Sequence, residues 1–414
     1  MRSLHCWGFA WATAALLLGN ASLSWSATPK TPKTTPSAKQ PTRQSDGQAE
    51  ARLIDIYRLI GGGRTRDALK KAEQLVADYP HFQLAQLVLG DLFSTRSRSI
   101  QNVGDVPAEL AQAGSQNLQA LRAESQLRIT AIKESPPIDS IPSQFVALSR
   151  RNKHAIAVDT AKARLYLFEN TATGTRLLAD YYISVGKAGV DKNVEGDQRT
   201  PLGVYFITSN LDPKSLKDLY GSGALPVNYP NVLDLRRGKT GSGIWLHGTP
   251  STQFTRAPQA TDGCVAVANP DLTRIIATVE IRTTPVLIGK DFQWVRSTNV
   301  SSERQAFSDT LQTWARAKKP GQESTLLKFY ASDFSAEGRD LGQFSAGLRA
   351  EVAKLGNRAV QLNDVSLIRW IDEADTMVAT FGEVLEGEKT GRTVRQYWQR
   401  RNNAWKIIYE GAIG

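Results

Sequence analysis

The apolar residues of this chain change period three times, so no single layer of one secondary structure can bury them all. From residue 49 to about 131 they recur at helical spacing. Leu53, Ile54, Tyr57 and Ile60 precede a break at Gly61, Gly62 and Gly63; Ala68, Ala72, Leu75, Val76 and Tyr79 lead to Pro80, and Leu84, Ala85, Leu87, Val88 and Leu89 follow. A further helix is expected over 107–132, and Pro136, Pro137 and Pro142 then mark a linker. From Phe145 the apolar residues alternate with polar ones in runs such as A-I-A-V-D, A-R-L-Y-L-F-E and D-Y-Y-I-S-V-G, with Thr173 and Gly174 in a turn, which predicts antiparallel strands. Past Pro285 helical spacing returns over 303–317, 326–334 and 344–354, and four long alternating runs end the chain. The expected fold class is α+β multidomain: a helical region over 49–135, a mostly-β domain over 145–290, and an α+β cone over 301–414.

The amino terminus reads as a signal for export. Residues 1–26 hold one early Arg2, an apolar run over 9–18 and the small residues Ser24 and Ser26, the layout of a secretory signal peptide. That run is too short for a stable membrane span, which leaves a protein exported to the periplasm. Residues 27–48 are rich in Pro, Thr, Ser and Lys without apolar periodicity, and predict a disordered basic tether. The 51 Lys and Arg outnumber 40 Asp and Glu, a net +11 that favours an acidic polymer such as the cell wall. No nucleic-acid-binding motif accompanies that charge, and a leader argues against nucleic acid as a partner.

Chemistry concentrates between residues 243 and 271. That block holds His247 and Gly248, then Gly263 and Cys264. The chain has two cysteines, and Cys6 falls within the expected leader, so the exported protein keeps Cys264 alone and cannot form an internal disulfide. A free thiol in an oxidising compartment is retained when it reacts or is deeply buried. It becomes a useful nucleophile when a base within reach takes its proton and a third group holds that base in one tautomer. His5, His81, His154 and His247 show no ligand spacing with Cys264, so no metal is expected, and no cofactor motif is present.

The block resembles the L,D-transpeptidase catalytic domain family over roughly 155–288. The resemblance rests on His247 and Gly248, a spacer, then Thr261, Asp262, Gly263 and Cys264, with Thr200, Pro201, Leu202, Gly203, Val204 and Tyr205 as the strand entry. Two positions depart from the commonest pattern: Asp262 stands where many members have His, and Ala266 where many have Arg. The subgroup that reads Asp-Gly-Cys-Val, preceded by a stretch like Gly196 to Pro201, includes L,D-carboxypeptidases. The resemblance implies Cys264 as nucleophile, His247 as general base and acid, Gly248 orienting the imidazole through its carbonyl, and the Gly263 and Cys264 N–H groups meeting an oxyanion. Thr261 would support the turn. Asp262 should raise the thiol pKa unless an ion pair compensates, and Arg256 and Lys187 are candidates for that partner or for a substrate carboxylate. Thr261, Asp262, Arg256 and Lys187 are therefore the substrate-binding candidates, while Trp245 reads as core. Loops over 187–199 and 216–228 should border the cleft, and a helix over 269–279 should pack behind the cysteine.

The expected function is peptidoglycan L,D-transpeptidation through a cysteine thioester on stem peptides containing meso-diaminopimelate. L,D-carboxypeptidation, hydrolysis of protein-peptidoglycan links and a non-enzymatic cell-wall-binding role are the alternatives. The helical region over 49–135 resembles one tetratricopeptide-type hairpin, too little for a stacked array, and 301–414 resembles the nuclear transport factor 2-like cone, in fold alone. Either part could recruit a protein partner.

Overall fold

The computed structural model describes residues 47–105, 112, 114–356 and 358–413. The expected leader, the tether up to residue 46 and most of the start of the helix expected over 107–132 lie outside them. The architecture is α+β multidomain, as expected. No helix among the described residues is long and apolar enough to cross a membrane.

Helical periodicity becomes α1 (Gln48–Gly61), α2 (Thr65–Asp78) and α3 (Gln83–Ser94), followed by α4 (Ser115–Lys133). Gly63, with φ 71°, adopts the left-handed backbone that turns the chain out of α1, which is a reason for glycine in that break. Leu53, Ile56, Ala68, Ala72, Leu75, Leu84 and Val88 share one core. Ile60, part of the same apolar pattern, is instead 42% exposed.

Two short strands follow the prolines, β1 (Ser140–Pro142) and β2 (Phe145–Ala147). The central sheet, of nine strands among the described residues, comprises β3 (His154–Asp159), β4 (Arg164–Thr171), β5 (Gly174–Gly186), β6 (Gly203–Phe206), β7 (Ala224–Pro226), β8 (Trp245–His247), β9 (Gln259–Thr261), β10 (Val265–Val267) and β11 (Pro285–Gly289). Their order is β6-β11-β3-β4-β5-β10-β8-β7, with β9 beside β5. Neighbours β3, β4 and β5 are antiparallel, whereas β11 runs parallel to β3 and β10 parallel to β8. Strands in the middle are apolar on both faces because both faces are covered. Ile156, Val158, Leu165 and Leu167 join the core that reaches Leu246 and Val265, while Ala155, Ala157, Tyr166 and Phe168 face the opposite way.

That opposite face meets the C-terminal part. The central domain also carries α5 (Val232–Arg236) and α6 (Asn269–Thr278); after β12 (Trp294–Arg296), which pairs with β1, come α7 (Ser301–Ala317), α8 (Glu323–Leu327) and α9 (Leu341–Leu355). The short ladder of β13 (Ser335–Ala336) and β14 (Arg339–Asp340) precedes a curved sheet of β15 (Val360–Ile371), β16 (Asp375–Leu385), β17 (Arg392–Arg401) and β18 (Ala404–Ile413). Met377, Phe381, Val394 and Trp398 pack on Phe307, Trp314 and Val352 from the helices. Val378, Tyr397 and Ile408, on the other face, share a core with Phe206 and Phe168 of the central sheet. The two parts are thus fused by a common apolar layer, and the Arg237–Asp372 pair, with Nη2 to Oδ1 at 2.6 Å, spans the same junction.

Two expectations need correction. Phe145 does not open the central sheet. Strand β2 pairs antiparallel with β15, Ile368 opposite Phe145, and covers an edge whose backbone groups would otherwise lack partners. The helix expected over 326–334 stops at Leu327, because the backbone beyond it turns to β18: Ile407 N–H donates to Phe329 O at 2.7 Å and Ala331 N–H to Ile407 O at 2.9 Å.

Candidate active site

The parallel pairing of β8 and β10 aligns Leu246 with Val265 and His247 with Ala266, which sets Cys264 opposite Trp245. His247 and the residue that follows Cys264 therefore lie on two adjacent, short strands.

His247 is 2% exposed, and its Nδ1 lies 2.7 Å from Gly248 O. A carbonyl only accepts, so Nδ1 carries the proton and Nε2 keeps its lone pair. Burial lowers the imidazole pKa to about 4; the Gly248 carbonyl opposes this and the nearby Arg256 charge adds to it. The ring is thus a neutral base. Gly248 could not carry a side chain: a Cβ there would stand 2.1 Å from Asn269 Oδ1 and 2.9 Å from Ser222 N. Asn269, opening α6, accepts from Ser222 N–H at 2.9 Å and Thr249 N–H at 3.1 Å and donates to Thr249 O at 2.9 Å, so one amide ties together the segments on both sides of the histidine.

Cys264 is half-buried, and its thiol donates to Gly243 O at 3.4 Å. Burial pushes the thiol pKa up and the Asp262 carboxylate adds to that, against the Trp245 N–H and the Arg256 and Lys192 charges. The pair at rest is a neutral thiol and a neutral imidazole. Thr261 shapes the turn: its hydroxyl donates to Cys264 O at 2.6 Å and accepts from Gly263 N–H at 3.2 Å. This corrects the expectation that Gly263 N–H faces an oxyanion, since the tight turn, with φ 123° at Gly263, directs that N–H to the threonine. A Cβ at Gly263 would lie 2.8 Å from Arg199 O, so the glycine serves close backbone approach. Thr200 pins the same turn, donating to Gly263 O and accepting from Gly186 N–H, both at 2.9 Å.

The two candidate cations part company. Lys187 Nζ pairs with Asp262 Oδ1 at 2.9 Å, with both side chains exposed, and Lys187 N–H donates to Thr261 O at 2.8 Å. Arg256 is half-buried and donates through Nη2 to Ala260 O at 2.5 Å, while Tyr182 OH donates to its carbonyl at 3.0 Å.

Sequence reading passed over an aromatic wall. Tyr220 stands edge-on to His247 with centroids 5.2 Å apart and against Trp245 at 4.7 Å, so Trp245 is a half-exposed neighbour of the thiol and not core. The glycines flanking Ser222, noted as a cleft-bordering loop, were the one local signal of it. Passed over as well was the grip of the helical region on the spacer between His247 and Cys264. Phe254 packs on Tyr79 and Phe82 at 5.1 and 4.7 Å, and its N–H donates to His81 O at 3.1 Å. Thr255 donates to Glu124 Oε1 at 3.0 Å. Beneath lies a buried cluster in which Arg128 bonds Glu50 at 2.6 Å and Glu124 at 2.8 Å, Arg164 bonds Glu50 at 2.7 Å, and the Arg128 guanidinium sits 4.0 Å from the Tyr182 ring centroid.

Residues 153–288 match the profile of the L,D-transpeptidase catalytic domain family (YkuD), and residues 306–411 that of the Cds6 C-terminal NTF2-like domain. Among solved structures, the chain is similar to Bd1075 of Bdellovibrio bacteriovorus, with 26% identity and a TM-score of 0.56 over 66% of this chain and 98% of that one. It is also similar to Pgp2 of Campylobacter jejuni, a helical cell shape determining protein, with 22% identity and a TM-score of 0.52 over 65% and 95%. No curated protein sequence matches the chain significantly.

Proposed function

We propose, for a chain that carries an L,D-transpeptidase catalytic domain followed by an NTF2-like domain, that Cys264 opens the L,D-linked peptide bond of peptidoglycan stem peptides. His247 Nε2 takes the thiol proton as sulfur adds to the carbonyl carbon following meso-diaminopimelate. The C–N bond then breaks, the same proton passes to the leaving amine, and D-alanine departs from a thioester on Cys264. Gly248 O holds the imidazole in the tautomer this requires. Cys264's own N–H meets the oxyanion, and Lys187 or Arg256 receives a substrate carboxylate. What supports the reading is the buried, neutral His247, oriented by Gly248 and carried on the strand adjacent to the one that follows Cys264, within the matched domain.

An amine of a second stem peptide as acceptor makes the enzyme a transpeptidase, the function expected from sequence. Water as acceptor makes it an L,D-carboxypeptidase, and one observation favours this second reading: Asp262 and Ala266 stand where the commonest pattern has His and Arg, as in the subgroup that includes carboxypeptidases. The leader expected over 1–26 supports a periplasmic site of action, and the likeness to Pgp2 supports a role in cell shape.

The test is incubation of the purified protein with disaccharide tetrapeptide, with and without a D-amino acid acceptor, followed by mass spectrometry. Tripeptide alone supports the carboxypeptidase, and a crosslinked dimer or exchanged terminal residue the transpeptidase. Unchanged turnover in a folded Cys264→Ala variant would end the cysteine mechanism, and no product in any arm would favour a protein-peptidoglycan link as substrate or a wall-binding role.

A further inference from the structure

A second site lies at the junction of the two domains. Between residues 149–152 and 281–283 of the central part and strands β16 and β17 of the NTF2-like sheet is a cavity of about 290 Å³. None of its lining residues is among those that hold His247 or Cys264. Its volume is at the lower end of the range for small-ligand pockets, roughly 300–1,000 Å³.

Its chemistry is lopsided. Arg395 lines it from β17 and is 9% exposed. The guanidinium carbon stands 3.3 Å from the Phe206 ring centroid, and Nε donates to Thr380 Oγ1 at 3.0 Å, its one hydrogen bond among the described residues. Among the described residues no carboxylate pairs with it; the neighbouring titratable groups that act on it are Tyr397 and Tyr409. A cation buried without a counter-charge is costly, and an incoming anion relieves that cost. Arg151, on the exposed rim, donates to Thr393 Oγ1 at 3.1 Å, and Arg282 also lines the cavity. One carboxylate, Asp364, lines the cavity with Arg395 and Arg151. The remaining wall includes Ile281, Phe381 and Ile413, and Ile281 is 36% exposed.

We propose that this junction cavity binds a small monocarboxylate carrying an apolar group. Arg395 and Arg151 take the carboxylate, for which the planar guanidinium fork is matched in shape, while the aliphatic and aromatic side receives the rest of the molecule. A fully hydrated phosphate would forfeit the contacts on that side.

The test uses isothermal titration calorimetry on the full chain, with benzoate as probe and benzamide and inorganic phosphate as comparisons. Benzoate binds saturably at one site, benzamide and phosphate at least about tenfold more weakly. Arg151→Gln, a change at an exposed rim residue, weakens benzoate by about tenfold, Arg395→Met abolishes the binding, and Cys264→Ala leaves it unaltered. Should Arg395→Met fail to fold, the Arg151→Gln result stands by itself. Absence of saturable binding, full affinity in folded Arg151→Gln, loss of binding in Cys264→Ala, or benzamide or phosphate binding as tightly as benzoate would each overturn the assignment.

Discussion

His247 Nδ1 donates to the carbonyl of Gly248, its own neighbour in the chain, across 2.7 Å. A base oriented by backbone needs no third side chain, and its orientation then depends on whatever fixes that peptide. Here the fixing is done by Asn269 and by Gly248 N–H, which donates to Tyr220 O at 3.0 Å. The tautomer of the base is thus set by a loop and the first residue of a helix, both remote from it in sequence.

Burial of the same imidazole makes stability depend on pH. Its folded pKa, about 4, lies below the ordinary 6.5, so below pH 6.5 the unfolded chain binds a proton that the folded one refuses. Stability from this group is complete above 6.5 and is lost as pH falls towards 4. A shift of this size corresponds to on the order of 3 kcal/mol. Urea midpoints measured from pH 7.5 to 4 should fall more steeply for the wild type than for His247→Gln; parallel curves would show that the histidine is not held neutral.

The Lys187–Asp262 pair should tune thiol reactivity on top of the larger effect of burial. Asp262 raises the Cys264 pKa, and Lys187 masks part of that charge. Asp262→Asn should shift the pH profile of iodoacetamide alkylation to lower pH, and Lys187→Ala should shift it upward. Both groups are exposed, so both shifts should shrink in high salt. An unmoved profile in Asp262→Asn would remove the carboxylate from the account.

What could be read from the sequence was local. His247, Gly248, Thr261 and Cys264 fall in one block with signals of their own, and the alternation in β15 to β18 marks a sheet wherever it packs. What could not be read was pairing across distance. Tyr220 reaches His247 because a loop folds back, and Phe145 joins β15 because that edge is open, yet neither position differs in pattern from its neighbours. The Gly263 assignment failed because a hydroxyl two residues away competes for the N–H, a matter of turn geometry and not of residue type. The helix expected over 326–334 had sound periodicity, and the β18 backbone overrode it.

Thr261→Val tests the turn. The substitution keeps the shape but leaves Gly263 N–H without its acceptor and Cys264 O without its donor. Loss of those buried bonds should cost about 1–3 kcal/mol. Tetrapeptide turnover should fall further than the folded fraction does, and Thr261→Ser should restore most of it. Turnover that merely follows the folded fraction would make Thr261 a stabilising residue with no part in placing the thiol.

Arg128→Met tests whether the helical region holds the catalytic spacer. Arg128 is 2% exposed and bonded to both Glu50 and Glu124, so its removal strands the buried Glu124 carboxylate and leaves Glu50 with Arg164 alone. The expected loss is about 3–5 kcal/mol at neutral pH. Burial would raise the Glu50 pKa, but Arg164 and Arg128 together hold it below the ordinary value, so wild-type stability from Glu50 is lost as pH falls. Burial already raises the Glu124 pKa, and removing Arg128 takes away the charge that opposes this, so acid neutralises the stranded charge and the gap between the two proteins narrows. Because Glu124 also receives Thr255, and Tyr182 lies between Arg128 and the Arg256 carbonyl, the disturbance passes straight to the spacer. At temperatures where the variant is fully folded, its tetrapeptide turnover should still be reduced. Undiminished turnover there would mean that the helices stabilise the chain without positioning His247 and Cys264.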